Sequence, residues 1–394
     1  MHMRFYSPAV ALAGGAATAS GNGLARFAYV PLFPAMVQAG WVDGGQAGIL
    51  GAVALAGYLF GTLAGGRVAR GLGVPRTLDL GMALVVLSLA ACAWNGGFWW
   101  LVVWRGLAGI AGGLLMALAG PATLASVPPE RRGAAGGIVI AGVGLGLSGG
   151  ALLVPAMLPM GLAATWLATA GAVLALWLLA HRFWPDMRVA PSTQAAPPRA
   201  VVLLVTYGLH SAGMVPPMIY LADLAARGLG LGVTAGAIAW LLFGLGGMIG
   251  GILSGRVADR MGSRPTLLVW IFIQVVALSL CLAPYPGLVL PAAAIAGFSA
   301  MGTTTVTLTV CREFAPLASV ALWVRCTAIF GIVQTAVAFA LAALFAATGE
   351  SHFAVFAAGV GFSVGALGLA GLLVRQALPG RLPVAPGGKR GVGR

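Results

Sequence analysis

The sequence predicts an all-α polytopic membrane protein with twelve transmembrane helices in two pseudo-symmetric six-helix bundles. Three observations carry that expectation. The composition is 60% hydrophobic with 8% charged residues, where a soluble domain carries about a quarter charged. Apolar runs long enough to cross ~30 Å of hydrocarbon, which takes roughly 20 residues of helix, recur along the whole chain. A charged loop motif recurs about half a chain apart.

In order, the spans are read at 8–38, 45–66, 76–94, 98–124, 133–158, 162–182, 200–225, 233–255, 265–283, 286–310, 318–347 and 351–376. The first follows Met1-His-Met-Arg4 and resembles a secretory signal in outline, but the apolar run continues well past any plausible cleavage point at Ala17-Thr-Ala19. It is therefore counted as a span, which keeps the helix number even. Trp184 to Arg199 is polar, Pro-rich and basic, as a linker should be. The expected organisation is an N-terminal bundle over 1–183, a cytoplasmic linker over 184–199, a C-terminal bundle over 200–376 and a basic cytoplasmic tail over 377–394.

The formal charge of +14 would suit a nucleic-acid partner if it were clustered, so its placement matters more than its size. Of 22 basic residues, Arg26, Arg105 and Arg325 lie within spans and Arg227 in a loop on the opposite side; the rest fall on one side of the membrane. That asymmetry is the positive-inside rule. It places both termini in the cytoplasm and accounts for the charge without nucleic acid. The basic tail suits anionic lipid. Cys92, Cys281, Cys311 and Cys326 are scattered without a Cys-x-x-Cys pair, so neither a disulfide framework nor a metal site is indicated, and no cofactor is implied.

Gly66-Arg-Val-Ala-Arg-Gly-Leu-Gly-Val-Pro-Arg76 follows the second span, and Gly255-Arg-Val-Ala-Asp-Arg-Met-Gly-Ser-Arg-Pro265 follows the eighth, 189 residues later. Duplicated six-span halves enclosing a midplane site are a common transporter plan. The second copy resembles the Gly-x-x-x-Asp-Arg-x-Gly-x-Arg signature of the major facilitator superfamily. Trp104-Arg105-Gly-Leu-Ala-Gly109 resembles, more weakly, that superfamily's fourth-helix arginine motif. The core Arg26-Phe-Ala-Tyr-Val-Pro-Leu-Phe-Pro34, followed by Gln46-Ala-Gly-Ile-Leu-Gly51, is similar to the YbfB/YjiJ branch. The resemblance implies the major facilitator fold and a bacterial inner-membrane carrier; it implies no substrate.

Two departures qualify the resemblance. Arg70 stands where the superfamily has aspartate, so a carboxylate latch in the first loop would borrow another acid, such as Asp79. The Gly-rich fifth span, Gly142 to Gly150, lacks the antiporter Gly-Pro pair. The expected gating set is Gly66, Arg70, Gly73, Gly255, Asp259, Arg260, Gly262 and Arg264. In it Gly255 permits close helix approach, Gly262 permits a turn at positive φ, and Asp259 pairs with arginines and the next helix start. The alternative is a plain basic loop that fixes topology.

Within the spans, Arg26 and Arg105 cost about 2.5–3.5 kcal/mol each at a helix centre and should face a wet interior. No carboxylate lies at their depth. Asn22, Arg26, Tyr29 and Phe33 follow helical spacing and share a face. By the resemblance, the first, fourth, seventh and tenth helices line the cavity. This adds Tyr207, His210 and Ser211 of the seventh, aligned through Pro216-Pro217 with Pro31, and Thr303, Thr304 and Thr307 of the tenth.

Two readings stand for Arg26, contact with a substrate or bonding of neighbouring carbonyls. Arg105 divides between substrate contact and gating or proton coupling, His210 between a satisfied interior histidine and a proton carrier, and the threonines between lining the cavity and capping their own helix. Arg325 reads as structural. Two positive charges without an acid favour a small organic anion moved by alternating access in a monomer, with protons as a possible coupling ion. The rival is a proton-coupled exporter of drugs or metabolites. An intramembrane enzyme needs clustered catalytic groups, and the histidines are dispersed with no acid or cysteine cluster.

Overall fold

The computed structural model describes residues 8–185, 200–283 and 285–375. Only Trp184 and Pro185 of the expected linker fall among these residues, and the basic tail 377–394 lies outside them. The chain is all-helical. After the first span, α1, come α2 (Gly44–Leu72), α3 (Val74–Ala91), α4 (Phe98–Ala125), α5 (Arg132–Met157), α6 (Leu162–Ala180), α7 (Val201–Asp223), α8 (Gly232–Met261), α9 (Ser263–Leu280), α10 (Val289–Phe314), α11 (Ser319–Ala347) and α12 (His352–Arg375). Eleven helices among the described residues are long and apolar enough to cross a membrane. The first span is instead divided: α-helix over Pro8–Thr18, π-helix over Ala19–Phe27, and α-helix again over Tyr29–Gln38.

Local chemistry sets the helix ends. Asp43 caps α2 by accepting from the Gln46 amide at 2.7 Å, while Gln46 Oε1 accepts from the Asp43 amide at 3.2 Å, a reciprocal capping box. At its far end α2 stops at Gly73, whose φ of +83° only glycine adopts without strain. Gly262 repeats this at +87° after α8. The following helices start alike, with Thr77 and Thr266 each donating a hydroxyl to the glycine carbonyl at 2.7 Å.

The duplication also governs packing. In α2, Gly57 and Gly61 lie against the carbonyls of Gly106 and Ile110 in α4; in α8, Gly246 and Gly250 lie against those of Ala294 and Phe298 in α10. Each second-half glycine is 189 residues beyond its counterpart. A membrane interior gives no hydrophobic drive between helices, so close backbone approach at small residues supplies the attraction. Large apolar side chains such as Trp99, Leu145 and Leu179 face outward, where lipid would meet them.

Helices α1–α6 pack among themselves, as do α7–α12, and a seam joins the two sets. At the end bearing Asp43 and Glu350 the seam is tight. A Cβ on Gly45 would lie 2.8 Å from the Ala346 methyl, one on Gly48 2.5 Å from the Tyr220 hydroxyl, and one on Gly51 3.1 Å from Ile219. The rings of Phe33 and Tyr220 meet edge-on at 5.7 Å and those of Phe27 and Trp240 at 5.5 Å.

Candidate functional site

Arg26 sits near the end of the π-helical segment. Its backbone passes over glycines: Gly112 of α4 meets the Gly21 carbonyl, and Gly146 of α5 meets Ala19 and Gly23. Side chains there would push α1 away. A π-turn carries more residues than an α-turn and often marks functional sites; here it presents Arg26 to the seam. Nη2 donates to Oε1 of Gln334 in α11 at 3.0 Å, and Nη1 to Oδ1 of Asn22 at 3.4 Å, a long contact. The guanidinium carbon lies 4.8 Å from the Phe27 ring centroid and 4.9 Å from that of Tyr58. Gln334 in turn contacts the Met218 sulfur at 3.1 Å.

Arg105 is buried beside it. Nη1 donates to the Ala25 carbonyl at 2.8 Å, supporting the π-helical backbone, and its Nε has no partner. The guanidinium lies 4.3 Å from the Tyr29 ring centroid, and the Tyr29 hydroxyl donates to the Ala47 carbonyl of α2 at 2.7 Å. Tyr29 therefore serves Arg105 and α2 rather than continuing Arg26's hydrogen bonds. Neither guanidinium has a carboxylate partner among the described residues.

Arg26, Tyr29, Gly51, Arg105, Met218 and Ile219 border a cavity of about 20 Å³. That holds about one water and no solute. A ligand of any size could enter only if the seam parts.

The remaining expected site residues lie elsewhere. His210 turns into the C-terminal half: Nδ1 meets Oε1 of Gln274 in α9, whose amide nitrogen donates to the His210 carbonyl at 3.2 Å and to Ser363 of α12 at 2.9 Å. Ser211 donates to its own helix at the Gly208 carbonyl. Tyr207 donates to Thr304 at 3.3 Å and stacks on His210. Thr307 donates to the Thr303 carbonyl, and the Thr303 hydroxyl is buried without a partner. None of these residues borders the Arg26 cavity. The polar face expected to line the centre packs inside one bundle, because α9 and α12 offer Gln274 and Ser363 as partners there.

The loop residues also depart from expectation. Gly66 and Gly255 have room for a methyl group, with nothing within 3.4 Å of the Cβ position, so close approach rests on Gly57, Gly61, Gly246 and Gly250. Asp259, Arg260 and Arg70 are exposed. Arg264 is buried against Phe314, donating to the Leu373 carbonyl at 3.3 Å with Glu313 at 3.9 Å. Asp79 does not substitute for a latch acid: its Oδ1 accepts from the indoles of Trp177 and Trp184, each at 2.7 Å. Two pairings went unread in the sequence. His352 lies 2.8 Å from Asp223, so that histidine does meet an acid, and Cys311 and Cys326 have their sulfurs 3.7 Å apart.

Gln334 could have been suspected as a lone amide in an apolar span. Nothing local in the sequence marks Tyr58 or Met218.

Comparison with known proteins agrees with this architecture. A Haemophilus influenzae protein described as "Putative metabolite transport protein" is 28% identical over 253 residues, which is 57% of this chain and 61% of that protein's length. Three solved structures share the fold. A bacterial homologue of the human lysosomal transporter Spinster has a TM-score of 0.69 at 15% identity, covering 94% of this chain and 98% of its own. A mutant of the nucleoside transporter NupG has a TM-score of 0.75 at 11% identity, covering 93% and 99%. A mutant of the peptide transporter POT, in complex with sulfate, has a TM-score of 0.75 at 15% identity, covering 95% of each chain. The family model described as "Uncharacterised MFS-type transporter YbfB" matches residues 18–370, and the chain belongs to that family of the major facilitator superfamily.

Proposed function

We propose that this protein is a secondary active transporter that moves a small organic anion across a bacterial inner membrane by alternating access. The observation that carries the reading is the guanidinium of Arg26 at the seam, answered among the described residues only by neutral groups, the amides of Asn22 and Gln334 and the faces of Phe27 and Tyr58. A second guanidinium without a carboxylate partner among the described residues, that of Arg105, borders the same cavity. Such charges are costly inside a membrane, and a carboxylate ligand would neutralise them through paired, charge-assisted hydrogen bonds.

Both guanidiniums repel a cationic solute, which argues against cationic drugs. The seam gives the moving part. It runs between two duplicated halves, meets through glycines, and leaves no room for a solute while closed. The basic residues favour cytoplasmic termini, and a monomer suffices because both halves lie in one chain. Family membership and the metabolite-transport description of the relative support transport as the activity.

A thermal-shift screen of the purified protein against organic acids, amino acids, sugars and cationic drugs tests the substrate class, since a ligand bound to the native state raises its stability. Stabilisation by organic acids, followed by their flux into proteoliposomes, is the expected result. Stabilisation by cations alone would reject the anion reading.

A further inference from the structure

We propose that Glu350 is a proton-binding site whose ionised form holds the Glu350 end of the seam shut. The proposal rests on the chain being an alternating carrier, but it concerns a region separate from the Arg26 cavity and is tested without substrate. Glu350 lies in the turn between α11 and α12. At φ +63° it is the one non-glycine residue with positive φ among the described residues, a region that side-chain-bearing residues enter uncommonly and that often marks functional positions.

That turn sends the carboxylate across the seam. Oε1 accepts from the amide of Gly44, the first residue of α2, at 2.7 Å, while Oε2 accepts from Nη1 of Arg227 at 2.6 Å. Gly44 leaves room for the approach, since a Cβ there would lie 2.5 Å from the carboxylate. Asp43 already serves the Gln46 amide, leaving that of Gly44 for Glu350. One carboxylate thus ties the start of α2, in the first half, to Arg227, in the second.

Arg227 is fixed from behind. It donates through Nε and Nη2 to the two oxygens of Asp223, each at 2.6 Å, and His352 Nε2 lies 2.8 Å from Asp223 Oδ2. The charged and titratable groups around Glu350 are therefore Arg227, Asp223, His352, Asp43 and, further along the seam, the Tyr220 phenol. Among the acids, Asp223 is fully buried under three donor contacts, whereas the Glu350 side chain is 32% exposed. Solvent reaches Glu350 first.

A proton from water that bonds to a Glu350 oxygen removes the negative charge and one acceptor. Arg227 keeps its two bonds to Asp223, the Gly44 N–H is left to water, and the carboxylate's hydrogen bond across the seam to the start of α2 is lost. Ionised, Glu350 closes this end; protonated, it releases it.

Spin labels on Ala39→Cys and Ala347→Cys, exposed positions on opposite sides of the seam, report the opening by pulsed dipolar distance measurement in substrate-free protein. The wild-type background should show a short distance at pH 8 and, at pH 4, a longer population that rises severalfold. Glu350→Gln should show the longer population at both pH values, and His352→Gln should respond to pH as the wild type does. An unchanged wild-type distance, a short distance in Glu350→Gln at pH 8, or loss of the response in His352→Gln would overturn the proposal. The wild-type and His352→Gln measurements decide it even if Glu350→Gln fails to fold.

Discussion

Arg26 of the first helix donates to the side-chain oxygen of Gln334 in the eleventh at 3.0 Å, and this bond crosses the seam between the duplicated halves. It joins a cation to a neutral acceptor where a carboxylate would have cancelled the charge. The pairing holds the guanidinium in place and leaves its charge unneutralised.

Gln334 variants should therefore separate positioning from charge. Gln334→Leu removes one charge-assisted hydrogen bond, worth about 1.5–3 kcal/mol, and is expected to weaken binding of a stabilising organic acid roughly tenfold or more. Gln334→Glu supplies an internal carboxylate to Arg26 and is expected to abolish anion binding while leaving the melting temperature equal or higher. Titration calorimetry and melting curves on the same preparations check both. Intact binding in Gln334→Glu would mean that Arg26 does not receive the ligand.

Arg105 should behave mainly as a prop. Arg105→Ala leaves the Ala25 carbonyl without its donor, a loss of about 1–3 kcal/mol for a buried polar group, and removes the cation from the face of Tyr29. Its melting temperature should fall below that of Arg26→Ala in parallel unfolding curves. Equal melting of the two variants would count against a structural role.

The repeated helix crossings give a stability test independent of any ligand. Gly109→Ala and Gly297→Ala would drive a methyl into the backbone carbonyls of Ala54 and Phe243, and overpacking of this kind costs about 1–3 kcal/mol. Gly137→Ala meets nothing within 4 Å and should be neutral or mildly stabilising. Thermal denaturation in one detergent compares all three.

His210 should not carry the coupling proton. It is bonded to Gln274 within the second half and does not border the Arg26 cavity. His210→Ala is expected to lower the melting temperature while leaving the pH profile of uptake unchanged from pH 5.5 to 8.5. A flattened profile at full stability would return His210 to the transport path.

The number and order of the spans were legible because each is a long apolar run, and the duplication because Gly73 and Gly262 need the same backbone turn. Which way a polar side chain points was not. A helix apolar all round has no face that periodicity can orient, so Tyr207, His210 and Ser211 share a face in sequence while the face's destination depends on Gln274 and Ser363 in distant helices. The π-helical segment was equally hidden. Gly21 and Gly23 signal freedom, but the wider turn depends on Gly112 and Gly146 packing against them. Arg26 and Arg105 could be found because a charge in an apolar run is conspicuous; Tyr58 and Met218 are not.

The most direct test of the account is ligand affinity measured together with melting temperature in Arg26→Lys and Arg26→Ala. Lysine keeps the charge but loses the planar fork that grips a carboxylate at two points, so Arg26→Lys should bind the organic acid substantially more weakly and Arg26→Ala almost not at all, with both melting close to wild type. Normal affinity in Arg26→Ala, with a lowered melting temperature, would contradict the anion-receptor role and leave Arg26 as a structural tie to Gln334.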